Sequence, residues 1–221
     1  MGILREEDKI EVKKFFNERL KDRVKILIFT QKINCRFCNE TEQLLKEITE
    51  LADGKIELDI KNFATEKEEA EKYNIDKVPA IVILDKDGKD RGIRFFGIPA
   101  GYEFASLLEA ISMVSKGESG LSEEIKEKLK EIDKDLHLQV FVTPSCPYCP
   151  QMVVLSHKFA FESDKIRGDM IEVSEFPELG EIYEVMGVPK TIINNKTFIE
   201  GAVPVSHYLG KILEVVESTG K

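Results

Sequence analysis

Two copies of one short motif constrain this chain more than anything else in it: Cys35-Arg36-Phe37-Cys38 and Cys146-Pro147-Tyr148-Cys149. The copies hold all four cysteines, and their first cysteines stand 111 residues apart in a chain of 221. A motif that returns after half the chain predicts an internal repeat.

The flanks repeat as well. Val24–Thr30 precedes the first pair and Leu138–Thr143 the second. Continuous β-rich apolar runs of this kind suit strands buried on both faces. A helical stretch follows each pair, Asn39–Asp53 and Gln151–Asp164. Then come a second strand (Lys55–Ile60, Asp169–Ser174) and a charged helix (Thr65–Tyr73, Pro177–Tyr183). Each half next reaches Tyr-x-x-x-x-Val-Pro, at Val78-Pro79 and at Val188-Pro189. The prolines lie 44 and 43 residues beyond Cys35 and Cys146.

A hairpin comes after each proline, turning at Asp87-Gly88 and at Asn194-Asn195, residue types that tolerate positive φ. A glycine and an amphipathic helix close each half (Tyr102–Val114, Pro204–Val216), and a helix opens each (Glu6–Leu20, Ser122–Ile132). Ser115–Gly120 is polar and glycine-bearing, so it is expected to be a linker. The expected domains are residues 1–117 and 118–221. Each is an α/β unit with a mixed four-stranded sheet flanked by helices.

A Cys-x-x-Cys pair between a strand and a helix supports redox chemistry. The first cysteine is expected near the helix N-cap, where free N–H groups and the helix dipole favour a thiolate. The second, one turn on, is close enough to resolve a mixed disulfide. Pro147 suits a first helical turn. Arg36 and Lys32 are expected to stabilise the Cys35 thiolate further, so the two pairs should differ in reduction potential.

Two other uses of the cysteines fit less well. Zinc sites built from two such pairs separate them by about 15–20 residues, but here 107 residues intervene. Inert disulfides are rare inside cells, and closing so small a loop stabilises little.

Composition narrows the partners. Net charge is −9, which argues against nucleic acid. No apolar run is long enough to span a membrane, and no signal peptide is visible, so a cytoplasmic protein is expected. The chain is rich in Glu and Lys with only four Gln, the bias of hyperthermophile proteins. His137, His157 and His207 do not sit at ligand spacing, so no metal site is expected.

Strand, Cys-x-x-Cys, helix and a Val-Pro before a hairpin together resemble the thioredoxin/glutaredoxin superfamily. Cys146-Pro147-Tyr148-Cys149 is the dithiol glutaredoxin motif letter for letter. The tandem form is similar to the glutaredoxin-like protein disulfide oxidoreductases of hyperthermophiles. The resemblance implies nucleophilic Cys35 and Cys146 and resolving Cys38 and Cys149. It also implies cis Pro79 and Pro189, with Val78 and Val188 binding substrate backbone.

It further implies thiol–disulfide exchange on protein disulfides, with no cofactor beyond the disulfides. The implied partners are a thioredoxin-reductase-like flavoprotein and a peroxiredoxin. A dedicated electron relay from such a flavoenzyme to a peroxiredoxin is the alternative, and a chaperone without catalysis a third. Thioredoxin's tryptophan and buried strand acid are both absent. Glu57 and Glu172 are the candidate proton acceptors, although a solvated strand face is the plainer reading of each.

Overall fold

The computed structural model describes residues 2–218. The first half runs α1 (Glu6–Arg19), β1 (Val24–Thr30), α2 (Cys38–Glu50), β2 (Ile56–Asn62), α3 (Lys67–Lys72), β3 (Ala80–Leu84), β4 (Asp90–Phe96) and α4 (Glu103–Lys116). The second runs α5 (Glu123–Lys130), β5 (Leu136–Val142), α6 (Cys149–Glu162), β6 (Ile166–Glu172), α7 (Pro177–Ile182), β7 (Lys190–Ile193), β8 (Thr197–Glu200) and α8 (Val205–Ser218).

The order of elements is the expected one, and it is the same in both halves. Strands in the first half lie in the order β2-β1-β3-β4, with β1 parallel to β2 and antiparallel to β3. The second half repeats this as β6-β5-β7-β8. The two strands that lead to the cysteine pairs, β1 and β5, are thus interior strands. Their apolar runs follow from that place, since each is covered on both faces. All five residues of β3 are buried, as are all four of β7.

The repeat extends to single side chains. Tyr73 packs against Phe29 with ring centroids 6.4 Å apart, and Tyr183 against Phe141 at 5.5 Å. These tyrosines are the ones whose interval to Val-Pro is constant. Asn194 and Asn195 both take positive φ, as a tight hairpin requires.

The chain forms two compact units. One holds most residues up to Glu118. The other holds Ser119 onward together with Arg91–Arg94 and Pro99–Leu107. The expected linker is only partly a linker. Ser115 and Lys116 belong to α4, and Ser115 is buried, its hydroxyl donating to the Asp22 carbonyl at 2.5 Å. Ser119 is also buried, bonded to the Glu162 carboxylate. Serine in a polar stretch suggests solvent, but a hydroxyl with a partner can be buried at little cost.

The second unit buries more polarity than its sequence suggests. Asp169 is fully buried, accepting from Arg167 at 2.6 and 2.8 Å and from His137 at 2.6 Å. Burial alone would raise its pKa, but these two partners hold the carboxyl well below the usual carboxylate range. His157 is buried in α6 and donates to the Arg94 carbonyl at 3.1 Å. Burial pushes this imidazole down to about 4, against the hydrogen bond to Arg94. His207 is exposed.

Candidate active site: two Cys-x-x-Cys disulfides

Each cysteine pair lies where an interior strand ends and a helix begins. Both pairs are closed as disulfides, Cys35–Cys38 and Cys146–Cys149, with Cα atoms 5.6 and 5.5 Å apart. The placement corrects one expectation. The helices open at the second cysteine of each pair, with Phe37 and Tyr148 in the N-cap position and no side-chain cap. Cys35 and Cys146 therefore stand one turn ahead of the helix. The proline inside the first turn of α6 is Pro150, not Pro147. In each copy the aromatic before the second cysteine takes the cap place and the first cysteine stays in the loop.

Within each pair the first cysteine is the more exposed residue. Cys35 is half-buried while Cys38 is 2% exposed. Cys146 is 6% exposed and Cys149 fully buried. Polar groups reach the sulfurs. The Gln31 backbone N–H donates to Cys38 Sγ at 3.4 Å. Cys146 Sγ lies 3.7 Å from the Val188 carbonyl oxygen, which can accept the S–H of the reduced pair.

At the second site the Val-Pro loop reaches the disulfide through the Val188 carbonyl. Val78-Pro79 and Val188-Pro189 are both cis. The proline carbonyls accept from Gly97 N–H at 2.9 Å and Gly201 N–H at 2.8 Å, which ties each loop to the end of its hairpin. Among the described residues, neither Val78 nor Val188 makes a backbone–backbone hydrogen bond. Each is half-buried beside its buried proline. Backbone groups left out of a strand ladder can pair with a segment of another chain.

The surroundings of the two sites differ. The Arg36 guanidinium lies over the Phe37 ring at 5.0 Å. Asp76 and Lys77 precede Val78; they pair at 2.5 Å, and Lys77 Nζ sits 4.0 Å from the Phe96 ring centroid. A groove of about 270 Å³ opens among Gln31, Phe63, Lys67, Ala70, Glu71 and Ile75, and Gln31 is the residue whose N–H reaches Cys38 Sγ. At the second site Tyr148 is 67% exposed and Met186 is 93% exposed.

The two glutamates considered as proton acceptors separate. Glu57 is exposed and paired with Lys25 at 2.9 Å, on the solvated strand face. Glu172 is buried at the end of β6, level with Val142, and accepts from Ser174 N–H at 3.2 Å. A third acid is not visible in the sequence. Glu103, the first residue of α4, is 1% exposed and neither carboxylate oxygen has a hydrogen-bond partner. Burial raises its pKa to about 7, with the nearby Ser106 hydroxyl opposing only weakly. Its neighbour Tyr102 donates its backbone N–H at 3.0 Å to the Pro144 carbonyl, in the loop that leads to Cys146.

Known proteins show the same architecture. A thioredoxin-like domain model matches residues 14–112, and a thioredoxin domain model matches residues 136–214. A protein disulfide oxidoreductase from Aeropyrum pernix K1 superposes with a TM-score of 0.91 at 29% identity, covering 99% of this chain and 96% of that one. The alkylhydroperoxide reductase AhpF of Enterococcus faecalis gives 0.87 at 28% identity, covering 94% of this chain and 98% of that one.

Among curated proteins, the alkyl hydroperoxide reductase AhpF of Pseudomonas aeruginosa is 33% identical over 129 residues, which is 58% of this chain and 25% of that protein. The chain spans about a quarter of the length of the curated relatives it matches first, 27% and 25%. A matched domain in each half, each with its own Cys-x-x-Cys disulfide, places the chain in the thioredoxin-fold superfamily as a tandem of two such domains.

Proposed function

We propose that the chain is a thiol–disulfide oxidoreductase acting on protein disulfides through both of its Cys-x-x-Cys sites, one in residues 1–117 and one in 118–221. The observation that carries this is the recurrence, twice over, of a disulfide at a strand-to-helix junction with a cis Val-Pro peptide 43–44 residues on, whose valine makes no backbone–backbone hydrogen bond among the described residues. In the reduced enzyme, Cys35 or Cys146 attacks a substrate disulfide as thiolate. One substrate sulfur leaves as a thiol and a mixed disulfide forms. Cys38 or Cys149 then attacks the enzyme sulfur, which frees the second substrate thiol and restores the enzyme disulfide. Two electrons pass from enzyme to substrate, and the reverse sequence oxidises a dithiol.

The greater exposure of Cys35 and Cys146 supports the division of roles. Val78 and Val188 hold the substrate backbone in extended form, with Pro79 and Pro189 shaping the loop. The chemistry needs no cofactor beyond the disulfides. A thioredoxin-reductase-like flavoprotein is the proposed electron source. The cytoplasm of a thermophile is the proposed setting, in line with Glu–Lys pairs such as Glu42–Lys46 and Glu124–Lys128. Among the described residues no helix is long and apolar enough to cross a membrane.

A second reading is a dedicated relay to a peroxiredoxin, favoured by the likeness to the AhpF proteins. One experiment separates the two. Scrambled and reduced ribonuclease are given to wild type, to Cys35→Ser/Cys38→Ser and to Cys146→Ser/Cys149→Ser. Native ribonuclease should form, and at least one double variant should lose activity. Inertness toward ribonuclease with fast transfer to a peroxiredoxin favours the relay. Activity untouched by every cysteine change would leave only a chaperone.

A further inference from the structure

Lys190 directly follows the cis proline of the second unit and is only 5% exposed, on the interior strand β7. Lysine is almost never buried unless its charge is paired. The ammonium has three partners here. Nζ donates to the Glu184 carbonyl at 2.9 Å, lies 3.3 Å from the Glu200 carboxylate and sits 4.5 Å from the centroid of the Phe198 ring. The hairpin register supplies two of them. Lys190 faces Glu200 across β7 and β8, and Phe198 stands two residues before Glu200 on the same face. A carboxylate and an aromatic face thus anchor the cation to β8.

The third partner, Glu184, has φ +49°. Few residues with a side chain adopt this left-handed conformation, and asparagine tolerates it better than glutamate. Counting back from the cis prolines, the matched residue of the first half is Asn74, with φ +54°. The place matched to Lys190 is Ala80. The half without the asparagine is therefore the half with the lysine. Glu184 and Lys190 also bound the loop that carries Val188. Val185 N–H bonds back to the Gly180 carbonyl at 2.8 Å, and the Pro189 carbonyl accepts from Gly201 N–H. Between them, among the described residues, Met186, Gly187 and Val188 make no backbone–backbone hydrogen bond. The Val188 carbonyl in this span is the group 3.7 Å from Cys146 Sγ. Its place depends on what holds the ends of the loop, and small displacements at a reacting site are costly to rate.

We propose that Lys190 is a positioning residue for exchange at the second disulfide. Anchored on Phe198 and Glu200, it holds the Glu184 carbonyl and so fixes the Val188 backbone beside Cys146 for an incoming substrate segment. This assignment rests on the exchange activity proposed above and adds a residue to it.

The test uses the full chain with one disulfide at a time. Cys35→Ser/Cys38→Ser leaves the second site, and Cys146→Ser/Cys149→Ser leaves the first. Each reduced protein is mixed with an excess of a disulfide-bridged peptide, and the second-order rate constant of a single turnover is read. No outside reductant enters: the pair is oxidised as the peptide disulfide becomes two thiols. Every constant is divided by that for 2,2′-dithiodipyridine, a small disulfide with no backbone to align, which reports folding and sulfur reactivity.

At the second site Lys190→Met should lower this ratio at least fivefold, and at the first site it should leave the ratio within twofold. Glu184→Asn/Lys190→Met should recover most of the loss, because asparagine holds the left-handed turn by itself. A ratio unchanged by Lys190→Met, an equal fall at both sites, or no recovery with Glu184→Asn would overturn the assignment. So would peptide and dithiodipyridine constants that fall together, which is the mark of a merely structural lysine. If Lys190→Met does not fold, Phe198→Leu, at a ring 53% exposed, carries the test, with at least a twofold fall expected and no fall overturning the assignment. If the unsubstituted second site does not react with the peptide at all, the exchange activity itself has failed, and that outcome is distinct.

Discussion

Replacing Glu103 by glutamine should stabilise the protein by an amount that grows as pH rises from 4.5 to 7 and is constant above that. The carboxyl is 1% exposed, both oxygens lack hydrogen-bond partners, and its pKa rises from an ordinary 4.5 to about 7. The unfolded chain therefore loses this proton near pH 4.5, and the folded chain holds it until pH 7. Stability contributed by the held proton is complete below 4.5, falls as pH rises from there, and is gone once pH has passed through 7. At roughly 1.4 kcal/mol per pH unit, the loss by pH 8 is about 3 kcal/mol. Glutamine keeps the shape and cannot ionise. Glu103→Gln should then match wild type at pH 4.5 and exceed it by about 3 kcal/mol at pH 8.

The assay is guanidinium unfolding at pH 4.5, 6 and 8, with both disulfides oxidised and circular dichroism as signal. His157 acts in the opposite sense over the same range, so wild type alone would show a muted profile. The quantity to read is the difference between variant and wild type. A difference that is flat with pH, or a variant less stable at pH 8, would refute the account of Glu103 as an ionisable group buried without compensation.

Other consequences follow from the same structure. His157, depressed from 6.5 to about 4, contributes stability that is present above 6.5 and lost as pH falls toward 4, again about 3 kcal/mol. His157→Gln should abolish that acid-side loss, read as the slope of stability against pH between 6.5 and 4. Gly101 has φ +59°, and a Cβ there would fall well inside 3.0 Å of the Pro144 carbonyl oxygen. Gly101→Ala should therefore cost about 2–4 kcal/mol and slow exchange at Cys146 more than at Cys35. Equal slowing at both sites in single-site backgrounds would contradict the link between Gly101 and the second loop.

Much of this structure is legible in local pattern, and what is not legible is non-local. β1 spans Val24–Thr30 residue for residue as its apolar run implies, because an interior strand needs no alternation. Asn194-Asn195 announces its own turn. The helix starts differ from expectation by two residues, because the cap place falls to the aromatic before the second cysteine, Phe37 or Tyr148, and the first cysteine stays in the loop. Pro150, one residue past the motif, is the available clue.

Glu103 looks in sequence like an ordinary acid in a first helical turn, favourable against the helix dipole. Only packing from elsewhere in the chain buries it, and no nearby residue signals that. Arg94 in a hairpin strand is equally silent, although it is 1% exposed. His157 does carry a hint, since it lies among Leu155, Phe159 and Phe161 on a helix that is apolar nearly all round.

The central claim is that each disulfide exchanges with a protein substrate through its outer sulfur. Removing the inner cysteine tests it most directly. Cys38→Ser and Cys149→Ser, each with the other pair intact and reduced, are mixed with an unfolded protein carrying disulfides. The adducts are then resolved by non-reducing electrophoresis and peptide mass mapping. The account predicts a stable covalent adduct through Cys35 in the first variant and through Cys146 in the second, released by dithiothreitol. No adduct in either variant, with the outer thiol shown to be free, would contradict it.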